Sequence, residues 1–144
     1  MADDPSTATL MFIAHRDVET RVMAALATAG ITDVTLAQSR LLQRLSPEGT
    51  RLTDLADQAR ITKQTAGALV DQLERAGYVD RRPDPRDARA RLVTLTDKGD
   101  ALCRLAADEV ARVEQRWRER LGARSFEALR AALISLREIT DPYR

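Results

Sequence analysis

From about Thr9 to Ala29 the apolar positions Met11, Ala14, Val18, Val22, Ala25, Leu26 and Ala29 fall at helical spacing, and Gly30 ends the run. Leu36 to Leu45 reads as a second helix before the turn sequence Ser46-Pro47-Glu48-Gly49. Thr53 is a suitable N-cap for a short helix through Ala59, with Asp54 favourably placed against the helix dipole. Thr62 then caps a helix reaching Ala76. Its Ala66, Leu69, Val70 and Leu73 recur at i, i+3, i+4 and i+7 and define a buried stripe, which Gly77 terminates.

The period then changes. Tyr78 to Arg82 and Arg91 to Leu95 alternate as half-buried strands do, with Pro83 to Ala90 looping between them. Arg51-Leu52 offers a very short third strand. After Thr96 and Gly99, a long helix from about Asp100 to Leu121 carries Leu102, Ala106, Val110, Val113, Trp117 and Leu121 on one side. Ser125 is the expected cap of a last helix with Leu129, Leu133 and Leu136 as its stripe. The expected fold is mainly α with a small antiparallel β wing. It is a single domain over 1–144, with a winged helix-turn-helix at 35–99 flanked by amphipathic helices at 9–30 and 100–140. Both flanking regions carry apolar stripes with no other large domain to cover them. A two-fold dimer would bury them through Met11, Val18, Trp117, Leu129, Leu133 and Leu136, and would set two reading helices about one DNA turn apart.

Charge changes the picture through its distribution. The total is only +1, but residues 1–34 hold two Arg against five Asp/Glu, whereas residues 35–99 hold twelve Lys/Arg against nine Asp/Glu. DNA binding needs a positive patch at the phosphates rather than a positive total. No apolar run approaches about 18 residues, so a membrane span is not expected. The start MADDPSTATL is acidic and lacks the order of a secretory signal. One cysteine, Cys103, cannot form an internal disulfide, which fits a reducing cytoplasm. With the lone His15 it leaves no zinc cluster, and no cofactor is expected.

The second helix of a helix-turn-helix presents its N-terminal residues to base edges. Here those are Lys63, Gln64, Thr65, Ala68 and Asp71, opposite the apolar stripe. Gln64 can pair bidentately with adenine, Lys63 can reach guanine or phosphate, and Thr65 can use its hydroxyl or its methyl. Gly67 and Ala68 keep the surface thin for close approach. Ordinary solvent exposure is the bland alternative. The hairpin shifts that balance: Arg81, Arg82, Arg86, Arg89 and Arg91 lie within eleven residues, interleaved with Asp80, Asp84 and Asp87. Arginine suits phosphate and minor-groove contact, and Asp87 is placed to hold an arginine around a tight loop.

These two segments carry a resemblance. DPRDARARLVTLTDKG, Asp84 to Gly99, resembles the D-x-R-D-x-R…LT-x-x-G wing signature of MarR-type transcriptional regulators, the family named for multiple antibiotic resistance. LTDLADQARITKQTAGALVDQLERAGYVDR, Leu52 to Arg81, is similar to the family's helix-turn-helix, and the likeness spans nearly the whole chain. The resemblance implies an obligate homodimer held by its terminal helices, bound to double-stranded DNA at a pseudo-palindromic operator. Many members are repressors released by small phenolic or other aromatic ligands. By position it places Lys63, Gln64 and Thr65 at the start of the recognition helix, Arg89 at the wing arginine, and Asp87 at the acid that braces the wing.

Other residues invite competing readings. Cys103 reads as a buried, unreactive thiol, since Arg104 is adjacent and adjacent helical positions do not face each other. His15 reads as a surface or interface residue, and Trp117 and Tyr143 as dimer anchors, with Trp117 alternatively lining an effector pocket. The expected function is a sequence-specific, cytoplasmic DNA-binding repressor. The competing class is a winged-helix protein-interaction module. An enzyme is disfavoured, because no catalytic carboxylate, Cys/His or phosphate-loop constellation is present.

Overall fold

The computed structural model describes residues 4–143, so the acidic start up to Asp3 lies outside the described residues. The element order is α1 (Thr7–Thr28), α2 (Leu36–Leu42), β1 (Thr50–Arg51), α3 (Leu52–Ala59), α4 (Lys63–Arg75), β2 (Val79–Asp84), β3 (Asp87–Leu95), α5 (Asp97–Leu121) and α6 (Ala123–Thr140). The antiparallel sheet has the order β1-β3-β2. This is the mainly helical, winged architecture expected from the apolar pattern.

Boundaries differ where side-chain chemistry overrides periodicity. Ser6, whose hydroxyl accepts the Thr9 N–H, starts α1 two residues early. α2 stops at Leu42 instead of Leu45. Thr53 is not a cap: Leu52 is already helical, Arg51 occupies the cap position without a side-chain bond, and Arg51 is held extended by pairing with Leu92. The third strand is therefore Thr50–Arg51 rather than Arg51-Leu52. Thr96 caps α5, so that helix begins at Asp97 instead of Asp100. Ser125 lies inside α6, which starts after Gly122.

The largest difference is in the wing. Pro83 pairs with Arg91 and Asp84 with Asp87, so the expected eight-residue loop shrinks to Pro85 and Arg86. A register irregularity between Pro83 and Asp84 accommodates the proline.

One core unites α1 to α5 with the β2–β3 hairpin. Val22 and Leu26 of α1, Leu41 and Leu42 of α2, Leu55 of α3, Val70 and Leu73 of α4, Val79 and Val93 of the sheet and Leu102 of α5 are all buried together. The Ser46–Gly49 turn forms as expected, with the Gly49 N–H bonded to the Ser46 carbonyl at 3.0 Å. Gly49 has φ +99°, and a Cβ there would lie 2.8 Å from Thr94 Cγ2, so the turn requires glycine.

A second tie joins α1 to the central module. Arg40 of α2 donates through Nε to Glu19 Oε2 at 2.7 Å and through Nη2 to Oε1 at 3.0 Å. His15 stands 3.7 Å from the same carboxylate. The Arg40 hydrogen bonds hold the Glu19 carboxyl below its ordinary value of 4.5, against the opposing effect of its burial. The stabilisation is fully present above that value and is lost as pH falls through the depressed folded value. Glu19→Gln should therefore flatten the acid side of the stability profile below pH 4.5, read by denaturant unfolding across a pH series. An unchanged acid limb would count against this tie.

Candidate nucleic-acid interface

The N-terminal end of α4 is built by its cap. Thr62 Oγ1 accepts the Thr65 N–H at 3.0 Å and donates to Thr65 Oγ1 at 2.9 Å. Thr65 thus keeps its own hydroxyl proton free to point outward. Before it, Arg60 turns the chain in the left-handed region at φ 58°. Ala66, Val70 and Leu73 then face the core, while Lys63, Gln64, Thr65, Ala68 and Asp71 are all exposed on the other side. Gly67 does not belong to that outward surface. It is half-buried on the side of α3, and a Cβ there would meet only Leu52 Cδ2 at 3.7 Å, an ordinary contact distance.

The wing projects beside this helix. Its sequence DPRDAR contains two consecutive D-x-R steps, and each forms the same local turn. Asp84 Oδ1 accepts the Arg86 N–H at 2.9 Å, and Asp87 Oδ1 accepts the Arg89 N–H at 3.0 Å. Asp87 therefore shapes the backbone beneath Arg89 and adds a long ion pair to its side chain. The nearest Arg89 nitrogen is 3.8 Å away, and the side chain is 95% exposed. Arg82, Arg86 and Arg91 are likewise exposed and form no ion pair among the described residues. Four guanidinium groups thus stand ready for an anionic partner.

Sequence reasoning passed over Asp84. It is buried at the tip end of β2, where Arg51 donates to its Oδ2 through Nε at 2.8 Å and lies 2.7 Å away through Nη2. The Arg86 backbone N–H, followed by Arg51, holds the Asp84 carboxyl below the usual range. This acid ties β1 to the hairpin tip. The repeated D-x-R spacing was the available signal, since it marks both aspartates as turn formers.

The end of the signature, LTDKG, also resolves into contacts. Thr96 Oγ1 donates to the Gly77 carbonyl at 2.6 Å and accepts the Gly99 N–H at 3.1 Å. Lys98 donates to the Ala76 carbonyl at 2.6 Å and lies 4.3 Å from the Tyr78 ring centroid. Tyr78 in turn donates to Asp33 at 2.6 Å, and burial first, then that bond, pushes its phenol up to about 12. The start of α5 is thereby fixed to the end of α4.

Away from this face, the remaining candidates occupy the terminal helices. Val18 and Trp117 are half-buried, whereas Met11, Leu129, Leu133 and Leu136 are exposed. Several of them border an open apolar cavity of about 1220 Å³ between α1, α5 and α6. Tyr143 is exposed, and so is His15. Cys103 is half-buried, and burial, then Asp100, pushes its thiol up, which disfavours the reactive thiolate. Among the described residues no group of His, Cys, Asp and Glu could hold a metal ion, and no helix is long and apolar enough to cross a membrane.

This arrangement recurs in known proteins. A MarR family model matches residues 32–90. The HTH-type transcriptional regulator FarR of Neisseria gonorrhoeae is 32% identical over 114 residues, covering 78% of this chain and 76% of that protein. The HTH-type transcriptional repressor Rv2887 of Mycobacterium tuberculosis is 32% identical over 123 residues, covering 85% and 87%. The crystal structure of the MarR family protein Rv2887 in complex with salicylic acid superposes with a TM-score of 0.68 at 30% identity, covering 94% of this chain and 99% of that one. The transcriptional repressor CouR bound to a 23-mer DNA duplex gives a TM-score of 0.68 at 30% identity, covering 91% and 92%. With its capped α4, two-step wing turn and matching relatives, the chain belongs to the MarR family and is a DNA-binding transcriptional regulator.

Proposed function

We propose that the protein is a cytoplasmic, dimeric repressor that reads a pseudo-palindromic operator in double-stranded DNA. Lys63, Gln64, Thr65 and Ala68 read base edges in the major groove, and Arg86, Arg89 and Arg91 of the wing grip phosphate and the adjacent minor groove. The observation that carries this reading is the pairing of a capped, polar α4 start with an arginine hairpin whose guanidinium groups are left exposed. The helices at 9–30 and 100–140 hold the dimer, and residues 35–99 form the reading module. Repression is steric exclusion of polymerase, and the repressors Rv2887 and CouR support that sign of regulation.

A small aromatic effector fits the same scheme. The apolar cavity between α1, α5 and α6 adjoins the reading module at Ser39, Leu42 and Leu95, and the relative Rv2887 is known in complex with salicylic acid. A ligand there that favours one spacing of the two reading helices would change operator affinity by its preference for that state.

The expected result on DNA is strong salt dependence. Affinity for a duplex selected from random sequence should fall at least tenfold between roughly 50 and 200 mM monovalent salt, because several phosphates are neutralised at once. Fluorescence anisotropy titrations provide the measurement. Salt-independent binding, or no preference for any duplex over random DNA, would refute this reading.

A further inference from the structure

Of the arginines in and before the wing, Arg81 differs in its contacts. It sits on β2 opposite Val93, a buried core residue, and its side chain is only 21% exposed. Its Nη2 donates to Asp71 Oδ1 at 2.7 Å and its Nη1 donates to Glu74 Oε1 at 3.0 Å. Asp71 and Glu74 lie three residues apart on one face of α4, so a single planar guanidinium spans nearly a helical turn. Asp71 follows Ala68 by the same interval, which places the bridged carboxylates next to the outward face that carries the reading residues.

We infer that Arg81 is a positioning residue: it fixes the wing against α4 and masks Asp71 and Glu74 from the phosphates, instead of contacting DNA itself. The inference rests on the reading of α4 and the wing as the DNA-binding face. Two consequences follow from the chemistry. Asp71, Glu74 and Arg81 together carry one net negative charge, and removing the arginine leaves two carboxylates beside a polyanion, which weakens binding to every duplex. The fork also sets the distance between wing and helix, and an operator is recognised only when both contact their grooves together. Both carboxylate partners are exposed, so these ion pairs contribute little to stability, and the loss should appear in DNA recognition while the fold persists.

The test uses the full chain with anisotropy titrations on a selected operator and on an unrelated duplex of equal length, each at several salt concentrations. Arg81→Ala should weaken both, the operator by roughly tenfold or more, without lowering the salt slope. Arg81→Lys retains charge but cannot fork between two carboxylates. It should stay near wild type on the unrelated duplex and lose operator preference. Adding Asp71→Asn and Glu74→Gln to Arg81→Ala should restore unrelated-duplex affinity to within about threefold of wild type while operator affinity stays low. Asp71→Asn with Glu74→Gln alone, in the presence of Arg81, should strengthen unrelated-duplex binding and narrow the preference for operator. That arm decides the matter if Arg81→Ala fails to fold.

A drop in salt slope of about 0.9 in Arg81→Ala, not restored by neutralising the carboxylates, would make Arg81 a phosphate contact and overturn the inference. Wild-type operator affinity in Arg81→Ala would overturn it too. Failure of the wild-type protein to prefer any duplex would instead refute the DNA-reading assignment on which it stands, a separate and recognisable outcome.

Discussion

Gly99→Ala is expected to destabilise the protein by about 3 kcal/mol or more, as overpacking against backbone does when nothing nearby can yield. A Cβ at this position would lie 2.0 Å from the Tyr78 carbonyl oxygen and 3.1 Å from Leu95 Cδ2. The carbonyl cannot swing away without cost, because it already accepts the Thr96 N–H at 3.1 Å. Gly77 and Ala76 beside it are held by Thr96 and Lys98. The terminal glycine of LT-x-x-G is therefore required by close approach of α5 to the β2 entry. Its backbone is helical, so no special dihedral is involved. Thermal unfolding at matched protein concentration should show a fall of roughly 10 °C. Gly67→Ala is the control: with 3.7 Å of clearance it should gain up to about 1 kcal/mol from helix propensity. A Gly99→Ala melting curve indistinguishable from wild type would contradict this packing.

Leu129→Asp with Leu133→Asp should separate the proposed dimer and remove operator binding. In the single chain α6 lies along α5, and both leucines remain exposed, as do Leu136 and Ile139. Aspartate is thus tolerated in one chain and penalised only when a second chain covers it, by several kcal/mol for buried, unpaired carboxylates. Sedimentation equilibrium at micromolar concentration should give close to twice the 16.0 kDa chain mass for the wild type and 16.0 kDa for the variant. Operator affinity should fall by roughly a hundredfold or more, since two linked half-site contacts become independent. A variant that remains a dimer would place the interface elsewhere.

The helices were legible in the sequence because their buried stripes repeat cleanly: Ala66, Val70 and Leu73 face the core as their spacing predicts. Thr62 was legible as a cap for the same reason that Thr53 misled. Both are threonines ahead of an apolar run, but pairing of Arg51 with β3 fixes the start of α3 two residues earlier. Strand pairing also explains the wing. Pro83 and Ala88 carry no period-2 signal, yet the two aspartate turns close the hairpin so tightly that the flanking residues are drawn into the ladder. At the interface, composition identified the arginines but could not divide them by role. That division depends on which carboxylates fold brings within reach, at Asp71 and Glu74 for Arg81 and at Asp84 for Arg51.

The assignment of reading and gripping surfaces is tested most directly by competition binding of Gln64→Ala and Arg89→Ala on a matched set of duplexes. Gln64 is exposed in the first turn of α4, and its loss should cost roughly 1–3 kcal/mol at one symmetric pair of positions while unrelated DNA is bound as before. Arg89, with its side chain 95% exposed at the wing, should on removal weaken selected and unrelated duplexes alike and lower the salt slope. An A/T-rich flank should suffer more than a G/C-rich one, through minor-groove width. Unchanged affinity and unchanged sequence preference in both folded variants would contradict the account and move the DNA-reading surface to another face of the protein.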